Sequence, residues 1–80
     1  MHTLSKAKEI LSAALNLPEV KIDQNTAIGK TPEWDSLAHM RLILAVEELV
    51  GRELGMEEVI GIESLSDVEN TLKRHISFPS

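Results

Sequence analysis

The sequence predicts an all-α fold, a four-helix bundle with a long loop after the first helix and a short third helix. Two observations carry this. Three segments repeat apolar residues at helical spacing between start and stop signals. No pair of alternating segments is present from which a sheet could be built: Val20-Lys21-Ile22-Asp23 alternates, but it has no partner. Eighty residues, 42% hydrophobic and 26% charged, give one domain, residues 1–80, with one small core.

The first helix is expected over about residues 3–16. Leu4, Ala7, Leu11, Ala14 and Leu15 recur on one face, with Lys6, Lys8 and Glu9 turned mostly outward. Thr3 can cap it, and Pro18 discourages continuation by biasing Leu17 away from helical angles. Residues 17–33 then make a connection that compact domains rarely keep unless it is functional or pinned. Val20, Ile22, Ala27 and Ile28 are expected to pin it to the core, and Gly29 with Thr31-Pro32 marks the turn before the next helix.

The second helix, about residues 36–50, has the clearest pattern. Leu37, Met40, Leu44 and Ala45 make a stripe at i, i+3, i+7 and i+8, widened by Ile43, Val46 and Leu49. Glu47 and Glu48 face partly outward, and Gly51 ends the helix. So broad an apolar face places this helix centrally. Residues 56–61, bounded by Gly55 and Gly61, have room only for a short helix or turn carrying Met56, Val59 and Ile60. In the last helix Ser64 caps, with Asp67 at the third helical position. That start keeps Leu65, Val68, Leu72 and Ile76 on one face, which the competing pair Ser66 and Glu69 does not. Phe78-Pro79-Ser80 is expected to fray.

The net charge of −5 is unevenly placed. From Glu33 to Glu63 eight acids and two bases give −6, leaving +1 for the rest of the chain. An acidic half of this kind argues against nucleic-acid binding, a helix-turn-helix included, because that needs a basic footprint. Its plain reading is a solvated helix surface; the clustering of the acids around Ser36 favours instead a partner with a basic docking patch. The absence of Cys excludes disulfides, Cys-based zinc sites and a cysteine nucleophile. His2, His39 and His75 are too scattered for a metal site and are expected at the surface. No apolar run is long enough to span a bilayer and the N-terminus has no apolar signal region, so no membrane insertion and a cytoplasmic location are expected.

The most informative local feature is Trp34-Asp35-Ser36-Leu37 at the mouth of the second helix. Asp35 sits where an N-cap is wanted, which puts Ser36 in the first turn beside unpaired backbone N–H groups. A phosphate joined to its hydroxyl would lie at the positive end of the helix dipole. A hydrolase would need Ser36 as nucleophile and His39, three residues on, as base. No Gly-x-Ser-x-Gly elbow is present and so small a domain has no room for a substrate cleft, so no catalytic residue is assigned. The chain is read as a non-enzyme.

The sequence resembles the acyl carrier protein family, peptidyl carriers included, over nearly its whole length and most closely across residues 34–72. Ser36 matches the attachment Ser, with Asp35 before it and Leu37 after it. Leu42-Ile43-Leu44-Ala45-Val46-Glu47-Glu48 is similar to the apolar stretch and acidic pair of the family's second helix. Leu54, Ile62, Leu65 and Asp67 fall where the family anchors its third and fourth helices.

The resemblance implies a four-helix bundle of acyl-carrier type, acting as a monomer. It also implies a 4′-phosphopantetheine arm, moved from coenzyme A to Ser36 by a phosphopantetheinyl transferase in a magnesium-dependent reaction. Asp35 would help orient metal and cofactor in that complex. The arm would hold an acyl or aminoacyl group as a thioester and present it to loading and acyl-using enzymes. Leu44, Val46, Leu54, Val59, Ile62 and Val68 match the family's acyl-chain lining, but plain core is the preferred reading of the same residues, and the two are compatible. Glu47, Glu48 and Glu53 are the expected docking acids. Arg41 stands where the family usually has an acid, with His39 two residues earlier, so the docking helix presents a mixed face that fits a specialised pathway. Trp34 is expected to pack beside the site and fix the start of the second helix. The competing reading is an unmodified helical protein–protein interaction module.

Overall fold

Thr3–Leu15 form helix α1 in the computed structural model, which describes residues 3–75. Ala7, Leu11, Ala14 and Leu15 are buried as their spacing predicts, whereas Leu4, in the first turn, is 44% exposed. The helix stops because Asn16 takes a left-handed conformation, φ 58°. This lets the Leu17 N–H reach back to the Ser12 carbonyl at 3.1 Å, a wrapped C-terminal turn that Asn tolerates better than most residues.

The long connection is pinned, but by a different set of residues from the one its alternation predicts. A 3₁₀ turn, Glu19–Lys21, carries Val20 outward, where it is 88% exposed, and Ile28 is also exposed. Ile22 alone of the four is fully buried. Thr26 is buried as well, and its hydroxyl accepts from the Asp23 N–H at 3.0 Å. Beyond it the backbone pairs with the segment before the last helix: Ile28 N–H donates to the Glu63 carbonyl at 2.9 Å, around an isolated bridge between Ala27 and Ser64. Hydrogen bonds therefore hold much of what apolar insertion was expected to hold.

Helix α2 spans Ser36–Val50. Asp35 caps it, accepting the Ala38 N–H at 2.9 Å, and Gly51 ends it at φ 77°, a conformation that glycine adopts without Cβ strain. The buried face is Ala38, Leu42, Ile43 and Val46; Leu37, Met40, Leu44 and Leu49 are exposed. The predicted stripe was thus rotated. The run from Leu42 to Val46 is apolar at every position, so periodicity cannot choose a face, and burial follows the Ala38, Leu42, Val46 line at i, i+4 and i+8. The central element is also different: α1 packs against both α2 and the last helix, while those two touch only sparsely.

Helix α3, Met56–Gly61, and helix α4, Leu65–His75, complete an all-helical fold of four α-helices, with no strand among the described residues. Glu58 accepts the Gly55 N–H at 3.4 Å at the start of α3. Ser64 Oγ accepts the Asp67 N–H at 3.2 Å, and Asp67 Oδ2 takes the Glu63 N–H at 3.0 Å, so the cap forms at Ser64 and not at Ser66. Leu65, Val68 and Leu72 are buried on one face. Ile76 and Phe78-Pro79-Ser80 lie outside the described residues. Thr71 is also buried, its hydroxyl donating to the Asp67 carbonyl one turn back at 2.8 Å. No helix among the described residues is long and apolar enough to cross a membrane.

Candidate functional site

Ser36 is the first residue of α2 and its side chain is exposed, between Asp35 and Leu37, both also exposed. The Ala38 N–H is taken by Asp35 Oδ1 and the His39 N–H by the Asp35 carbonyl, both at 2.9 Å. Those of Ser36 and Leu37, which every helix start leaves free, have no hydrogen-bond partner among the described residues. An anion on the Ser36 hydroxyl would meet these donors and the positive end of the dipole together.

Behind the serine lies an open recess of about 470 Å³ lined by Ile28, Trp34, Asp35, Ser36 and His39. Trp34 is only 4% exposed and forms its floor, as expected of a residue fixing the start of the helix. Its indole Nε1–H donates to His39 Nδ1 at 3.0 Å, with the rings stacked at 6.1 Å between centroids. An indole N–H can only donate, so Nδ1 is the acceptor nitrogen and the neutral imidazole carries its proton on Nε2. That nitrogen lies 2.8 Å from the Val59 carbonyl of α3, to which it donates. His39 is therefore a bridge and not the surface residue expected. Both of its ring nitrogens are engaged away from Ser36, so His39 is not placed to act as a base on the serine.

The docking residues separate in the same way. Arg41, Glu48 and Glu53 are exposed. Glu47 is half-buried, and its Oε2 accepts the Leu54 N–H at 2.9 Å, so it fastens the turn between α2 and α3 and is not a free docking acid. Of the six apolar lining candidates, Val46, Leu54, Ile62 and Val68 are buried and Val59 packs half-buried against them. Leu44 is 64% exposed and lines no interior, because the buried line of α2 runs through Leu42 and Val46 instead.

A second polar cluster escaped the sequence reading. His75 Nε2 lies 2.5 Å from Glu58 Oε2, and Arg74 reaches the same oxygen at 3.5 Å. The hydrogen bond with His75, chief among several contacts, holds the Glu58 carboxyl below the ordinary carboxylate range; some loss of solvent works against it, and the Gly55 N–H and Arg74 act with it. One signal for the other cluster was available: a buried indole needs an acceptor, and His39 lies one turn into the helix that Trp34 precedes. Among the described residues no group of three or more His, Asp or Glu side chains is placed to hold a metal ion. No protein-family model matches the chain.

Proposed function

We propose that this chain is a carrier protein of acyl-carrier type, and that Ser36 is the point at which a 4′-phosphopantetheine arm from coenzyme A is attached. The observation that carries the reading is the exposed Ser36 hydroxyl at the first position of a capped helix, beside unpaired N–H donors. The residues fit the group. The recess beside Ser36 is open, and Leu37 is 56% exposed rather than folded over the serine. When attached, the arm supplies a thiol able to hold acyl groups as thioesters, and this Cys-free chain has none of its own. The chain's own part is to present the serine, keep charge and apolar surface around it for partner enzymes, and stay folded during transfer.

Of the four charged residues expected to dock, Arg41, Glu48 and Glu53 are exposed, and Leu37, Met40 and Leu44 add an apolar stripe on α2. That stripe also favours the second reading, an unmodified helical interaction module, since exposed apolar residues at i, i+3 and i+7 make a contact surface without any prosthetic group. Incubation with coenzyme A, magnesium and a broad-specificity phosphopantetheinyl transferase, followed by intact-mass spectrometry, separates the two. The carrier reading expects one added arm, mapped by peptide analysis to Ser36 and absent in Ser36→Ala. No mass gain, or an arm on Ser5, Ser12, Ser64 or Ser66, overturns it.

A further inference from the structure

Helix α3 has little apolar packing of its own. Met56 is 77% exposed and Ile60 67%, and Val59 is half-buried. The buried anchors Leu54 and Ile62 flank the helix without belonging to it. Besides Val59, which packs against the core, polar side chains from both neighbouring helices hold it. His75 and Arg74 of α4 meet Glu58, and His39 of α2 meets the Val59 carbonyl. The short helix is slung between two imidazoles.

We infer that His39 is a positioning residue, a latch locked in one tautomer that holds α3 against the mouth of α2, and that Trp34 sets the tautomer. The buried indole N–H needs an acceptor, and Nδ1 is the one it has. With Nδ1 committed, the single proton of the neutral ring sits on Nε2, the only nitrogen that reaches Val59. The opposite tautomer fails at both ends: two N–H groups would face each other at Trp34, and a lone pair would face the carbonyl. In the neutral ring the two hydrogen bonds therefore stand or fall together. The charged groups nearby are occupied elsewhere, Asp35 by the helix cap and Glu58 by His75 and Arg74, so the latch is made with uncharged partners.

Release at Val59 loosens α3 on its α2 side while Glu58 still ties it to α4, and the latch residue His39 also lines the recess beside Ser36. The latch stands whether or not Ser36 is modified. In the carrier reading it governs access to the apolar interior next to the attachment point.

The test combines long-range proton–nitrogen correlation spectra of His39 with amide exchange of the full chain at mildly alkaline pH. The unaltered protein should show the His39 proton on Nε2. His39→Leu should accelerate exchange in Met56–Gly61 on the order of five-fold, the change that loss of one hydrogen bond of about 1 kcal/mol produces, and leave α1 and α4 unchanged. His39→Gln, whose amide nitrogen reaches as far as Nε2, should restore α3. His39→Asn reaches only as far as Nδ1, so it should protect the indole N–H yet leave α3 as fast as in the Leu variant. A proton on Nδ1 in the unaltered protein overturns the inference, as does unchanged α3 exchange in His39→Leu or equal acceleration in all helices. The tautomer is read without substitution, so the test holds even where a variant does not fold. Neither measurement involves Ser36, and their failure would leave the mass-spectrometric test of the carrier reading standing.

Discussion

Asp35 serves α2 in two separable ways. Its Oδ1 accepts the Ala38 N–H at 2.9 Å, and its charge sits at the positive end of the helix dipole. Asp35→Ala removes both. Loss of the cap costs about 1 kcal/mol and loss of the charge about 0.5 kcal/mol at low salt. In a domain of this size each kcal/mol lowers Tm by about 4–8 °C, so the Ala variant should melt roughly 6–12 °C early. Asp35→Asn keeps a cap acceptor and loses only the charge, so its Tm should fall by about 2–4 °C, and less in high salt. Thermal unfolding followed by far-UV circular dichroism at two ionic strengths reads both numbers.

The same pair of variants separates folding from modification. In the carrier reading the Asp35 carboxylate helps orient metal and cofactor while a transferase acts on Ser36. Asp35→Asn should then be well folded yet modified slowly. If Asn destabilises as much as Ala, the cap argument is wrong. If Asn is modified at the rate of the unaltered chain, the carboxylate is a cap and nothing more.

Three further outcomes are expected. Leu42→Ala, at a fully buried position, should cost about 2–5 kcal/mol in denaturant unfolding, whereas Leu44→Ala, 64% exposed, should stay within about 0.5 kcal/mol; equal losses would refute the rotated face of α2. In the carrier reading Glu48→Lys should slow the transferase reaction with little change in stability, while Glu47→Lys should also destabilise the chain by about 1–3 kcal/mol, because the partly buried Leu54 N–H loses its acceptor. Glu58 is held below its ordinary value of 4.5, chiefly by the hydrogen bond with His75, so its stabilising share is full above about pH 4.5 and drains as pH falls through the lowered folded value; Glu58→Gln should reduce stability at neutral pH and flatten the acid limb, and an unchanged acid limb would refute the coupling.

Helix existence and helix ends were legible because they are written in local chemistry. Asp35, Gly51 and Ser64 each act where their residue type is favoured, and Met56–Gly61 lies in the frame set by its two glycines. Faces were legible only where apolar and polar residues alternate sharply, as in α4 at Leu65, Val68 and Leu72. In α2 the unbroken run from Leu42 to Val46 carries no such contrast, and the choice between Leu44 and Leu42 is made by tertiary packing. The loop misled for a related reason. Alternation around Val20 assumes extended backbone, and the 3₁₀ turn at Glu19–Lys21 removes that assumption. Contacts between residues far apart in sequence, His39 with Val59 and His75 with Glu58, leave no periodic trace at all.

The acidic half of the chain shows how a count of charges differs from a docking surface. Of its eight carboxylates, Asp35 caps α2, Glu47 holds the Leu54 N–H, and Glu58 joins the start of α3 to His75. Each is fixed by the backbone it satisfies and cannot turn to meet a partner without releasing that bond. The other five, Glu33, Glu48, Glu53, Glu57 and Glu63, are all exposed, set against the exposed Arg41 and Arg52. The three bonded carboxylates keep their charge and still add to the long-range field, but only the other five are free to make direct contacts. On α2 itself Arg41 and Glu48 are the exposed charges, on a helix that also exposes Leu37, Met40 and Leu44. Encounter steered by long-range charge would depend on salt through the whole acidic segment, while selectivity would rest on Arg41 and the apolar residues around it. A partner with an acid opposite Arg41 gains there, and one with a uniformly basic patch meets a like charge.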